Sequence, residues 1–372
     1  MGNNSAVNKQ PWLGFPWIEF LFILLPPFLS IAIIALFPAF FQNNDQLPEA
    51  AWVVLILLID VGHVYSTLFR TYFDKQALKE QSTLLIAIPV IAFTIGVLLY
   101  SFSSLLFWRV LAYTAVFHFV RQQYGFLRIY SRRDPIKKWV RNFETFFIYW
   151  LTIYPLLYWH LSGPRNFNWF VENDFLYFNA GAILTVLNLL YVISITIYLS
   201  ILVLERIKKD PAIFNWPKFL IISGTGLSWF IGIVYFNGDM AFTLLNVVSH
   251  GIPYVALVWI YGKKKYGTES KSGSFLKLIF SQYGWLLLIA LLILFAFIEE
   301  GLWDGLVWKE RATVFPVFQW NLPAFSDATL RLLIPFLAVP QITHYILDGF
   351  IWRIRSEEFK WKSETVESTA NN

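Results

Sequence analysis

No cysteine occurs in the chain, which removes disulfides, thiolate metal ligands, iron–sulfur clusters and cysteine nucleophiles together. Charge is scarce: Asp, Glu, Lys and Arg make up 14% of the 372 residues, against about 25% in soluble globular proteins. No stretch reads as a water-soluble domain, and no repeat is strong enough to propose a duplicated fold. The clustered HxxxH and HxxHH boxes of membrane fatty acid desaturases are also missing, and there are only five histidines. The formal charge of +5 carries no implication of nucleic acid, because the basic residues follow the positive-inside pattern of membrane proteins.

What the chain has in abundance is apolar surface: 57% hydrophobic residues, 19% aromatic, and a mean hydropathy of +0.55. The expected fold is all-α, a polytopic membrane helical bundle with ten transmembrane spans in a single membrane domain over residues 1–372. The spans run about 17–41, 50–69, 83–101, 104–127, 145–161, 180–204, 218–236, 240–261, 282–299 and 328–352, each bounded to within a few residues. The connections alternate in charge as ten spans require. One side takes Lys9, then Arg70, Lys75 and Lys79, then Arg128, Arg132, Arg133, Lys137, Lys138 and Arg141. It later takes Arg206, Lys208, Lys209, Lys218, the run Lys263 to Lys265, Lys271, Lys277, Arg353, Arg355, Lys360 and Lys362, while Arg165, Lys309 and Arg311 occupy the opposite loops. Both termini are therefore expected in the cytoplasm of a multi-pass protein of a bacterial inner membrane. The polar segment Met1 to Gln10 precedes a long apolar stretch with no small-residue cleavage site, so a cleaved signal peptide is not expected. The longest outward connection, Glu299 to Asp327, is expected to fold over that face, and the polar tail 357–372 to be disordered.

Four of the five histidines share one depth. His63 lies seven residues before Arg70, His118 ten before Arg128, His250 thirteen before Lys263 and His344 nine before Arg353. At the helical rise these are about 10 to 20 Å above the cytoplasmic edge of a core about 30 Å thick. The spans that carry them all run the same way. His160, at the outer end of the fifth span, is read as an interfacial residue. Ionisable companions lie close in sequence: Asp60 precedes His63 by three, Arg121 follows His118 by three, and Asp348 follows His344 by four. Buried in a membrane, such groups require pairing, a metal or a wet cavity.

Neutral imidazoles suit zinc, iron or copper, and added carboxylates suit iron or zinc. His63, His118, His250 and His344 are thus the expected metal ligands, for one metal or a pair. Asp60 and Asp348 are either ligands or hold the outer ring nitrogen of a histidine. Gln122, Tyr124, Asn246 and Tyr345 are expected around the metal or the substrate, Asn246 orienting His250 or holding a water. Arg121 would grip a substrate carboxylate or phosphate, pair with a neighbouring Asp, or reach toward the headgroups. Prolines inside spans, among them Pro253 and Pro340 beside two of the histidines, are ordinary kinks or aim those side chains. Gly62, Gly125 and Gly251 permit close helix approach or leave room for a ligand.

This set of histidines on transmembrane helices resembles the bacterial carotene-cleaving oxygenases of the bacterio-opsin-related type. The resemblance covers only His63, His118, His250 and His344, and implies an iron centre and an apolar polyene-like substrate. It is also similar to the intramembrane zinc hydrolases of the alkaline ceramidase type, for which Asp60 or Asp348 and Ser249 would be the counterparts. The expected function is metal-dependent catalysis, with Asp60, Arg121 and Asp348 as catalytic groups. Iron-dependent oxidation of a membrane lipid or isoprenoid, with a separate redox partner possible, is placed ahead of zinc-dependent lipid hydrolysis. A proton-coupled transporter using the same His and Asp residues and a bis-histidine haem protein are the rivals.

Overall fold

The computed structural model describes residues 10–43, 47–134, 136–208, 214–267 and 274–352. The tail 357–372 and the basic residues Lys9, Lys209, Lys271, Arg353, Arg355, Lys360 and Lys362 lie outside them. Among the described residues every regular element is a helix.

Eleven helices carry the architecture. α1 (Pro16–Leu24) and α2 (Pro26–Leu36) meet at 47°, because Pro26 and Pro27 bring no N–H to the turn that would join them. The expected first span is therefore a broken one, and the chain kinks again at Phe37 before the short helix Pro38–Asn43. α3 (Glu49–Phe69), α4 (Ser82–Phe102), α7 (Gly181–Leu204), α8 (Trp216–Tyr235), α9 (Asp239–Tyr266), α10 (Gly284–Trp308) and α11 (Asp327–Ile351) are each long and apolar enough to cross a bilayer. Counting α1 and α2 as one span makes eight. Two further spans were expected over 104–127 and 145–161. Helices stand at both places, α5 (Ser104–Tyr130) and α6 (Lys138–Leu161). They fall short in hydropathy because α5 carries Arg109, His118, Arg121, Gln122, Gln123 and Arg128, and α6 carries Tyr149, Trp150, Tyr154, Pro155, Tyr158, Trp159 and His160 in its apolar stretch.

The helix starts are written in the sequence. Ser103 breaks α4 from α5 in extended backbone and accepts the N–H of Leu106 at 3.3 Å. Asn215 accepts the N–H of Lys218 with Pro217 in the first turn of α8, and Ser326 caps α11 through the N–H of Thr329. α10 runs past Glu299, where the sequence had placed the end of a span. Glu299 is buried and its carboxylate accepts from Gln341 on α11 at 3.3 Å. The connection that follows does fold back: the Asp304 carboxylate receives the N–H groups of Glu310 and Arg311 and the amide of Gln319, and Phe315 is fully buried.

Burial orders the bundle. α9 is the central rod, with 89% of its apolar window covered, whereas α4 and α7 are covered over 22% of theirs and form the rim. Around α9 stand α3, α5 and α11. Gly251 lets α9 approach α3 closely, since a methyl group there would come 2.8–2.9 Å from the side chain and carbonyl of Ile59. Gly125 faces open space, with nothing within 4 Å of the position its Cβ would take.

Candidate metal centre

The four histidines expected as ligands meet at the centre of the bundle. His63 comes from α3, His118 from α5, His250 from α9 and His344 from α11, and none is more than 3% exposed. One ring nitrogen from each lies within 4.8 Å of the other three. The Nε2 atoms are adjacent along the series His63–His250 (3.0 Å), His250–His118 (3.1 Å) and His118–His344 (3.1 Å). Just before His63, residues Val53–Val61 of α3 are wound in the wider π-helical turn, a distortion often found at functional sites.

Two of the outer ring nitrogens, those of His344 and His118, face oxygen partners. Thr67 Oγ1 lies 2.6 Å from His344 Nδ1 and 3.0 Å from the Tyr254 hydroxyl, which donates to Asp348 Oδ1. Trp352 Nε1 donates to the same Asp348 oxygen at 2.8 Å, and Asp348 Oδ2 stands 3.4 Å from His118 Nδ1. Thr67 and Tyr254 thus link His344 to the Asp348 carboxyl, and His118 Nδ1 faces the same carboxyl. Oxygen partners on the outer nitrogen are what orient metal-binding histidines. Asp60 sits behind His63 with its Oδ1 3.7 Å from Nδ1, beyond hydrogen-bond reach, and the Nδ1 atoms of His63 and His250 have no hydrogen-bond partner among the described residues. The two aspartates therefore stand behind the imidazoles, and the converging donor set is histidine alone.

A second layer, one turn along, interlocks the four helices. Each histidine is followed at the fourth position by a polar residue: Thr67, Gln122, Tyr254 and Asp348. Thr67 of α3 bonds His344 of α11, Asp348 of α11 faces His118 of α5, and Gln122 of α5 donates to the His250 carbonyl of α9 at 3.0 Å. Tyr254 of α9 closes the circuit on Thr67. Histidines meet histidines and following residues meet one another, so these four helices run parallel. Pro253 lacks the N–H that would bond the Ser249 carbonyl, and that carbonyl is reached by Gln123 Nε2 at 3.5 Å. Phe119 stacks on His250 with ring centroids 3.5 Å apart, and Tyr345 lies over His118 at 5.2 Å.

Other expected participants lie elsewhere. Arg121 is exposed on the opposite flank of α5, where its guanidinium donates to Tyr149 of α6, and Tyr124 stacks on that tyrosine at 5.2 Å. Three residues from His118 is a sixth of a turn off its face, enough to carry Arg121 out of the interior. Asn246 gives its amide to its own helix at Phe242 O, 2.9 Å away, and does not bond His250. His160 binds Tyr113 at 2.7 Å and the Leu156 carbonyl, apart from the cluster. Thr67, Tyr254 and Glu299 were missed. For Thr67 and Tyr254 the sequence held a signal, the polar residue four positions after each histidine.

The chain is thus a membrane-type helical protein with a buried four-histidine cluster that could hold a metal ion. No family model matches it, and no curated protein or solved structure matches it either.

Proposed function

We propose that the protein is an integral-membrane metalloenzyme whose four histidines hold one iron ion, and that it oxidises an apolar lipid or isoprenoid within the bilayer. The observation that carries this reading is the convergence of four buried imidazoles: one ring nitrogen from each lies within 4.8 Å of the other three, with adjacent Nε2 atoms 3.0–3.1 Å apart. Donors gathered this closely in the interior form a ligand set for a cation. Imidazole donors suit iron, copper and zinc.

His63, His118, His250 and His344 would hold the ion through their Nε2 atoms, adjacent pairs of which are 3.0–3.1 Å apart. Bound there, iron would supply activation of dioxygen. The chain's own part is to orient the imidazoles through Thr67, Tyr254 and Asp348 and to exclude water with Phe119, Tyr254 and Tyr345. Zinc-dependent hydrolysis would need a base beside the bound water, and Asp348 is engaged behind the rings by Tyr254 and Trp352. Proton-coupled transport fits less well, because the His and Asp groups are tied into one circuit across four parallel helices. The likeness in kind to the carotene-cleaving oxygenases points the same way. A plasma-membrane location with both termini cytoplasmic rests on the charge asymmetry of the loops.

Elemental analysis of the purified protein tests the reading. Stoichiometric iron without a haem absorption band is expected, and His118→Ala or His344→Ala should empty the site in a protein that remains folded in detergent. Stoichiometric zinc would transfer the site to the hydrolase reading. Protein that takes up no metal after incubation with ferrous and zinc salts would end both.

A further inference from the structure

Arg121 lies outside the histidine cluster and has no function in it. It is nine residues from the Tyr130 end of α5 and seventeen from the Ser104 end, hence about 14 Å and about 26 Å from them. Its guanidinium is fixed there by the Tyr149 hydroxyl and lies 5.1 Å from the Tyr124 ring centroid. Tyr149 is eleven residues into α6, about 16 Å from its Lys138 end. This is not an arginine reaching for the closest headgroups.

The surface around it is apolar and outward. Phe117, one turn along α5 on the same face, is 63% exposed, and Ile153, one turn along α6 in the same direction, is 39% exposed. No described carboxylate lies within ion-pair distance of Arg121. A second copy of this chain would not supply one at that depth, because Asp60, Glu299 and Asp348 are turned into the bundle. A positive charge held on an exposed apolar flank of a membrane protein is costly unless an anion accompanies it.

We infer that Arg121, Tyr124 and Tyr149 form a binding site for the anionic head of a single-chain amphiphile, a carboxylate or phosphate, whose hydrocarbon lies along Phe117 and Ile153. The guanidinium supplies a charge-assisted donor pair, and the Tyr149 hydroxyl fixes its direction. The site opens on the surface between α5 and α6 and does not depend on a metal in the histidine cluster.

The full-length protein in nanodiscs of zwitterionic lipid is titrated with a fluorescent long-chain fatty acid, its chain-matched alcohol and its chain-matched monophosphate. The wild type should prefer an anionic probe over the alcohol by about tenfold or more, the scale of a charge-assisted hydrogen bond. Acid over phosphate would identify a carboxylate ligand, and the reverse a lipid phosphate. Arg121→Gln should abolish the preference, Tyr149→Phe should reduce it, and both should keep the metal content of the wild type. Equal binding of acid and alcohol by the wild type, or a preference that survives Arg121→Gln, overturns the proposal. If there is no preference and Arg121→Gln instead dissociates a complex seen by native mass spectrometry, the counter-ion belongs to a partner helix and the amphiphile site is likewise excluded.

Discussion

At the scale of single residues, the centre is defined as much by what lies behind the imidazoles as by the imidazoles themselves. Thr67 lies against Nδ1 of His344 and Asp348 faces Nδ1 of His118, and loss of such outer partners from metal-binding histidines typically costs about 10–100-fold in metal affinity. Thr67→Val and Asp348→Asn should each weaken the metal by that factor in a chelator competition, with helicity by circular dichroism unchanged. Tyr254→Phe should fall in the same range, since it removes the link from Thr67 to Asp348. His160→Ala should leave metal content at the wild-type level, because its partners Tyr113 and Leu156 belong to another part of the bundle. The meeting of the four histidines was legible from their common depth. Arg121 was not separable from them by depth, because a sixth of a turn decides whether a side chain faces the core or the acyl chains.

At the scale of elements, the apolar runs and their caps were enough to locate the helices, including the start of α5 at Ser103 and of α11 at Ser326. Two features escaped them. The extension of α10 beyond Glu299 depends on Gln341 of another helix, and a window of hydropathy reads an acid as an end. The packing of α9 on α3 depends on Gly251 meeting Ile59, and spacing alone does not say which glycine is crossed. Gly251→Ala should push α9 away from α3, at a cost of about 1–3 kcal/mol from overpacking. Because His63 and His250 sit on those two helices, the 3.0 Å spacing between them should open. Thermal unfolding together with metal content checks this: both should fall, whereas Gly125→Ala, facing open space, should change neither.

At the scale of the whole molecule, stability has an ionic part outside the membrane and a metal-linked part within it. Asp74 caps the short helix Lys75–Glu80 through the N–H of Gln76 and meets Lys265 Nζ at 2.6 Å. Burial pushes its carboxyl up, but the ammonium of Lys265 and the N–H of Ala77 more than offset this and hold it below the ordinary carboxylate range. A carboxyl lowered on folding stabilises the protein above its unfolded pKa, and that contribution is lost as pH falls through the folded value. The unfolding temperature should therefore drop as pH is taken below about 4, with a smaller drop in Asp74→Asn. Metal that binds only the folded chain adds about 4 kcal/mol at a thousandfold excess over Kd, so a chelator should lower the unfolding temperature of the wild type and not that of His118→Ala. The ligands are drawn from α3, α5, α9 and α11, the first and last of them separated by most of the polypeptide. On the proposed reading an ion could not be seated until α11 has joined its companions, so metal occupancy would count finished molecules. In a cell, a chain cut off before residue 328 would be recognisable by its inability to retain the ion, however well its earlier helices had inserted.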